Sequence, residues 1–120
     1  MSDRIFIREL LVRCVLGLTE EERRERQDVL ISLVIFTDLA AAAKSDEVQE
    51  SVNYRELKKQ VLAVAEQSSY HLLEALAERV ATVCLSHPRV HRIRVTAEKP
   101  GALRFARSVG VCITRTRVPG

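Results

Sequence analysis

Four polar residues stand where predicted helices and strands begin or end, and their side chains could move protons. They are two carboxylates, a phenol and an amine, at Glu22, Glu74, Tyr54 and Lys99. Such groups act as general acids and bases when burial or a charged neighbour shifts their pKa values toward the working pH. The four residues are therefore candidates for acid–base chemistry.

Each candidate also has a structural explanation. Glu22 ends a run of three glutamates, and charge runs of this kind usually form a solvated surface. Tyr54 could pack beneath the helix that it opens, and Glu74 near a helix start is stabilised by the helix dipole. Lys99 could be a turn lysine, because Pro100 holds the backbone before it extended. The residues alone do not choose between these alternatives.

Other reactive side chains suggest no site. The three cysteines, Cys14, Cys84 and Cys112, lie far apart in apolar stretches, which predicts reduced core thiols in a cytoplasmic protein. The three histidines lack the spacing of metal ligands, so we predict no metal site. No glycine-rich phosphate loop and no nucleophile elbow is present in the sequence.

Apolar alternation predicts four strands that could hold the candidates. They cover Ile5 to Gly17, Val29 to Phe36, and the alternating segments 92–98 and 109–114. The first strand changes phase near Arg8 and Glu9, which predicts a β-bulge there. A charged connection, TEEERRERQ, follows the first strand, and 38–52 is predicted as a loop with room for one helical turn.

Two helices are predicted between the second and third strands. The first begins at Asn53, which can form a capping box with Glu56, and the second must end before Pro88. Their apolar residues recur at helical spacing, at Leu57, Val61, Val64 and Ala65 in the first and at Leu73, Leu76, Ala77, Val80, Val83 and Cys84 in the second.

The order β-β-α-α-β-β over 120 residues predicts one α+β domain, residues 1–120, with an antiparallel sheet and both helices on one face. The second strand is apolar on both faces, which predicts a homo-oligomer. No signal peptide or membrane span is expected. A net charge of +3 leaves a basic binding module as an alternative, but five scattered aromatics argue against nucleic-acid binding.

Over almost its full length the sequence resembles the dihydroneopterin aldolases and the related dihydroneopterin-type epimerases. The similarity lies in four stretches that occur in the family's order and spacing, GLTEEERRERQ (17–27), VNYRELKKQV (52–61), LLEALAERVA (72–81) and EKPGALRFARSVGV (98–111). The resemblance implies the tunnelling fold, in which subunits close a barrel around a central tunnel as tetramers or octamers. It also implies a pterin substrate bound between subunits.

The resemblance assigns roles to the candidates. Lys99 falls on the catalytic lysine, Glu22 and Tyr54 on the other catalytic and binding residues, and Glu74 with the Leu73 backbone on the pterin anchor. The implied reaction is retro-aldol cleavage of dihydroneopterin to hydroxymethyl-dihydropterin and glycolaldehyde in folate biosynthesis. The pterin ring itself accepts the electrons, so no cofactor is expected.

Two features of the sequence point to different branches of this family. Glu21 stands where aldolases commonly have an aromatic residue, and this resembles the epimerases. KPGA at 99–102 resembles the aldolases. We favour the aldolase reaction with a side activity as an epimerase, because both reactions can share one retro-aldol intermediate. The alternative is a dihydroneopterin (triphosphate) epimerase.

Overall fold

A computed structural model describes residues 3–118 as a four-stranded antiparallel sheet with two long helices on one face. The strands lie in the order β1-β2-β3-β4. In chain order the elements are β1 (Arg4–Cys14), α1 (Glu20–Arg24), β2 (Gln27–Phe36), α2 (Ala40–Ser45), a 3-10 turn (Val48–Glu50), α3 (Tyr54–Glu66), α4 (Leu73–Leu85), β3 (Arg92–Pro100) and β4 (Ser108–Thr116). The predicted α+β class is confirmed.

A β-bulge interrupts β1 where its apolar pattern changes phase. The register with β2 shifts between Ile7 and Leu10, Glu9 has a φ of 54°, and the Glu9 amide donates to Ser32 Oγ at 3.0 Å. The extra residue brings Ile7 and Leu10 onto the same, helix-facing side of the sheet. The predicted bulge is confirmed, although pairing with β2 ends at Cys14 rather than at Gly17.

The core lies between the sheet and the two long helices. α3 begins after Asn53, whose side chain accepts a hydrogen bond from the Glu56 amide at 3.3 Å, and α4 ends at Leu85, ahead of Pro88. Both helices direct an apolar stripe inward. The fully buried residues of β2, α3 and α4 are Val29, Ile31, Leu33, Ile35, Leu57, Val61, Ala65, Leu76, Ala77, Val80, Ala81 and Cys84.

Three sequence predictions need correction. The charged connection after β1 contains a helix, α1, and segment 38–52 contains both α2 and the 3-10 turn.

Cys112 is exposed, because it lies on the face of β4 that points away from the helices, whereas Cys14 and Cys84 are buried as predicted. Burial raises the pKa of the Cys84 thiol to about 12, so this thiol is unreactive.

The second face of the sheet is only partly covered. Leu30 and Val34 are half-buried there, and Phe36 is buried under the guanidinium groups of Arg4 and Arg92, 5.3 and 4.2 Å from the ring centroid. Arginine side chains therefore cover part of the second apolar face of β2. None of the helices within residues 3–118 is long and apolar enough to cross a membrane.

Candidate active site

Glu22 and Lys99 meet across the fold. Lys99 is the next-to-last residue of β3, and Glu22 lies in the first turn of α1, 77 positions earlier in the chain. Lys99 Nζ donates to Glu22 Oε2 at 3.0 Å. The Lys99 side chain is 14% exposed and that of Glu22 is 36% exposed. The structure therefore brings two of the four candidates together in a partly buried ion pair.

The other oxygen of Glu22 caps its own helix. Glu22 Oε1 accepts hydrogen bonds from the Leu18 amide at 3.1 Å and from the Thr19 amide and hydroxyl at 3.3 Å. Thr19 Oγ1 in turn accepts from the Glu22 amide at 3.1 Å, which completes a capping box. The carboxylate is thus held from both sides, by its helix terminus and by Lys99.

This environment fixes the charge of Glu22. The hydrogen bond from Lys99, followed by those from the Thr19 and Leu18 backbone, lowers the pKa of the Glu22 carboxyl to about 2. Glu22 is therefore ionised at any ordinary working pH and is a poor proton donor. Its chemical capacity is to stabilise a positive charge on Lys99.

Gly17 and Gln27 support Glu22 from either side. Gly17 has a φ of 142°, and a Cβ there would lie 2.6 Å from Glu22 Cβ and Cδ, so only glycine leaves room for the folded-back carboxylate. Gln27 Nε2 donates to the Glu22 carbonyl at 3.0 Å and to the Leu16 carbonyl. The five-residue spacings from Gly17 to Glu22 and from Glu22 to Gln27 therefore have a structural basis.

A cavity of about 400 Å³ opens beside Lys99. Within residues 3–118, Glu22 is the sole hydrogen-bond partner of Lys99 Nζ, and an ammonium group carries three donors. Lys99 can therefore bind an oxygen atom in addition to Glu22. The other residues that line the cavity are Arg13, Gln27, Asp28, Pro100, Gly101 and Ala102.

Neither remaining candidate makes a hydrogen bond or ion pair with Glu22 or Lys99 within residues 3–118. Tyr54, the first residue of α3, is 53% exposed and borders two cavities whose linings include neither Glu22 nor Lys99. Glu74 is the second residue of α4 and is exposed, and Leu73 before it is half-buried. The Glu74 side chain makes no hydrogen bond or ion pair within the described part of the chain, residues 3–118.

Sequence reasoning missed the role of Thr19 and the hydrogen bonds of Gln27. The signal for Thr19 was present, because threonine followed three positions later by glutamate is a capping-box pattern. The same pattern was assigned to Asn53 and Glu56, which supply the helix cap of α3. Gln27 ends the family stretch at 17–27, but the sequence did not show its structural role, since its partners are backbone carbonyls that only the folded turn presents.

Comparison with known proteins identifies the family. The family model for dihydroneopterin aldolase (FolB) matches residues 5–114. The chain belongs to the dihydroneopterin aldolase family. Two curated relatives are similar over nearly their whole lengths. The dihydroneopterin aldolase of Streptomyces coelicolor is 37% identical over 97% of this chain and 99% of the relative. The dihydroneopterin triphosphate 2'-epimerase of Pseudomonas aeruginosa is 33% identical over 95% of this chain and 93% of the relative.

A third relative, the folic acid synthesis protein FOL1 of Dictyostelium discoideum, is 38% identical over 95% of this chain. The chain spans only 17% of the length of FOL1. The aldolase-family domain thus occurs both in chains of this size and within a much longer protein.

Solved structures of the aldolase family share the fold. The Escherichia coli dihydroneopterin aldolase in complex with neopterin superposes with a TM-score of 0.91, at 32% identity over 95% of this chain and 99% of that chain. The Burkholderia dihydroneopterin aldolase bound to guanine superposes with a TM-score of 0.81, at 29% identity over 97% of this chain and 92% of that chain. These similarities support the tunnelling fold inferred from the sequence.

Proposed function

We propose that this protein cleaves dihydroneopterin to hydroxymethyl-dihydropterin and glycolaldehyde. The observation that carries the proposal is the Glu22–Lys99 ion pair, at 3.0 Å, in a chain of the dihydroneopterin aldolase family. The two residues are far apart in sequence, and their meeting creates an amine whose protonated form is stabilised by a fixed carboxylate. Such a pair suits the proton transfers that a retro-aldol reaction requires.

In the proposed reaction, Lys99 moves protons. Its amine, in the neutral form, accepts the proton of the 2'-hydroxyl through a water, and Glu22 stabilises the resulting ammonium. The C1'–C2' bond breaks, the hydroxyl oxygen becomes the carbonyl of glycolaldehyde, and the bond electrons enter the conjugated ring. A proton then returns to C1', from Tyr54 or from the Lys99 ammonium, and completes hydroxymethyl-dihydropterin.

Glu74 and the Leu73 backbone are the proposed pterin anchor. The exocyclic amine and the neighbouring ring N–H of a pterin are parallel donors that match two carboxylate oxygens. The exposed, unpaired Glu74 carboxylate at the start of α4 can accept both. The structures of family members bound to neopterin and to guanine, which has the same donor edge, support a role for this chain in binding such heterocycles.

We propose that the complete pocket forms between subunits of a ring-shaped tetramer or octamer in the cytoplasm. Large apolar side chains are exposed beside the candidate residues, Leu18 near Glu22, Leu72 before Leu73, and Phe105 in the loop after Lys99. The exposure of these three side chains supports the proposal that another chain covers this part of the surface. Tyr54 would then serve the site of a neighbouring subunit.

One assay tests the reaction and its alternatives. Purified protein is incubated with dihydroneopterin, and the pterin products and glycolaldehyde are separated and quantified. Release of glycolaldehyde supports the aldolase, inversion at C2' without cleavage supports the epimerase, and neither product supports a non-catalytic binding module. The epimerase is the second candidate because the Pseudomonas aeruginosa relative carries that name.

Oligomer size is measured by light scattering on the same sample. A tetramer or octamer is expected. An active monomer would contradict the proposal that the pocket is shared between chains.

A further inference from the structure

Within one subunit, Arg23 connects the segment that carries Glu22 to the segment that leads into the proposed pterin anchor. It follows Glu22 on α1 and is half-buried. Arg23 Nη1 donates to the Gly17 carbonyl at 3.1 Å and to the Tyr70 carbonyl at 3.3 Å, and Nη2 donates to the Ser69 carbonyl at 2.7 Å. One guanidinium group therefore links the turn that holds Glu22 to the loop between α3 and α4.

This loop leads directly into the proposed pterin anchor. Tyr70 is three residues before Leu73, where α4 begins, and the Gly17 amide also donates to the Tyr70 carbonyl at 3.4 Å. The Arg23 hydrogen bonds consequently fix the start of α4 relative to α1. Because Lys99 is paired with Glu22 on α1, the same bonds fix the acid–base pair relative to Glu74.

The geometry favours arginine over lysine. The three carbonyl acceptors belong to two separate segments, and a planar guanidinium presents several donors in a rigid fork that can reach both. A lysine ammonium could engage the acceptors of one segment but would not hold the two segments at a fixed spacing. Hydrogen bonds from a charged donor are also stronger than neutral ones, so the link is stiff.

We propose that Arg23 is a positioning residue, which sets the spacing between the Glu22–Lys99 pair and the pterin-binding start of α4. The inference rests on the proposed function. It assigns Arg23 no contact with substrate. Its effect is to align the hydroxylated side chain of a bound pterin with Lys99, and a misplacement of about 1 Å in such an alignment can reduce the rate about 100-fold.

The test compares Arg23→Gln and Arg23→Lys with the control Arg24→Gln. Arg24 is the exposed neighbour on the same helix and has no hydrogen bond or ion pair within residues 3–118. Three quantities are measured for each variant, namely kcat from glycolaldehyde release, the Kd of neopterin from equilibrium binding, and the thermal midpoint. These separate a positioning role from a loss of folding.

For Arg23→Gln we expect kcat to fall about 10- to 100-fold while the neopterin Kd stays within about threefold of the wild type. Arg23→Lys should recover part of kcat, and Arg24→Gln should match the wild type. The inference is overturned if Arg23→Gln keeps the wild-type kcat. It is also overturned if kcat and neopterin affinity fall together in Arg23→Gln and Arg23→Lys restores neither. A wild type that releases no glycolaldehyde overturns the proposed function and this inference together.

Discussion

The two halves of the proposed pocket are built differently. Glu22 is held by hydrogen bonds from Leu18, Thr19 and Lys99, and its ionised state is fixed. Glu74 is exposed and has no hydrogen-bond or ion-pair partner among the described residues. The acid–base half is therefore organised in a single chain, whereas the recognition half has a carboxylate ready for a ligand. A group that moves protons needs fixed geometry, and a group that binds needs open hydrogen-bonding capacity.

Replacing Lys99 breaks the acid–base half and should have the largest effect. In Lys99→Ala, kcat should fall about 10²- to 10⁴-fold, because no group remains to transfer the hydroxyl proton. Neopterin affinity should change little, since the proposed anchor lies on α4 and Lys99 lies on β3. The measurement is glycolaldehyde release together with equilibrium neopterin binding, with Lys44→Ala on the exposed end of α2 as control. Equal losses of turnover and affinity would contradict the division into two halves.

Replacing Glu74 breaks the recognition half. Glu74→Gln removes the charge and one of two matched acceptors, so the neopterin Kd should rise on the order of 100-fold. The thermal midpoint should fall only slightly, because Glu74 has no hydrogen-bond or ion-pair partner within residues 3–118 and loses only its favourable interaction with the N-terminus of α4. Glu66→Gln at the exposed end of α3 is the control for a lost surface charge. Unchanged neopterin affinity in Glu74→Gln would remove the proposed anchor.

Replacing Gly17 with alanine tests whether the acid–base half depends on the position of the Glu22 carboxylate. In Gly17→Ala the new Cβ would clash with Glu22 at 2.6 Å, so the carboxylate must leave its place beside Lys99. We expect kcat to fall about 10- to 100-fold from the lost alignment. Gly101→Ala is the matched control, because Gly101 also has a positive φ, of 68°, but no atom within 4 Å of an added Cβ. An equal effect of the two substitutions would mean that the clash with Glu22 is not the cause of the loss.

The pH dependence of stability gives the smallest expected effect. The folded pKa of Glu22, about 2, lies below its ordinary value of 4.5, so its contribution to stability is complete above pH 4.5 and is lost as pH falls toward 2. Thermal midpoints should therefore decline more in this range for the wild type than for Glu22→Gln. Glu21→Gln, on the exposed side of α1, should follow the wild type. Parallel profiles for all three proteins would show that the ion pair contributes nothing measurable.

Much of the fold was predictable from local patterns. The bulge near Glu9 followed from a phase change in apolar alternation, and the end of α4 followed from Pro88, because both effects act within a few residues. α1 was missed because five charged residues carry no apolar stripe. The exposure of Cys112 was missed because alternation in an edge strand does not say which face the helices cover.

The chain's own sequence determined the element order, the family resemblance and the residue types at the candidate site. Only the tertiary structure decided that Glu22 and Lys99 form an ion pair, and that Arg23 links α1 to the segment before α4. Helix caps and strand periods depend on neighbouring residues, so they can be read along the chain. Contacts between residues 77 positions apart depend on how the packed sheet and helices bring their ends together, and no local pattern encodes that distance.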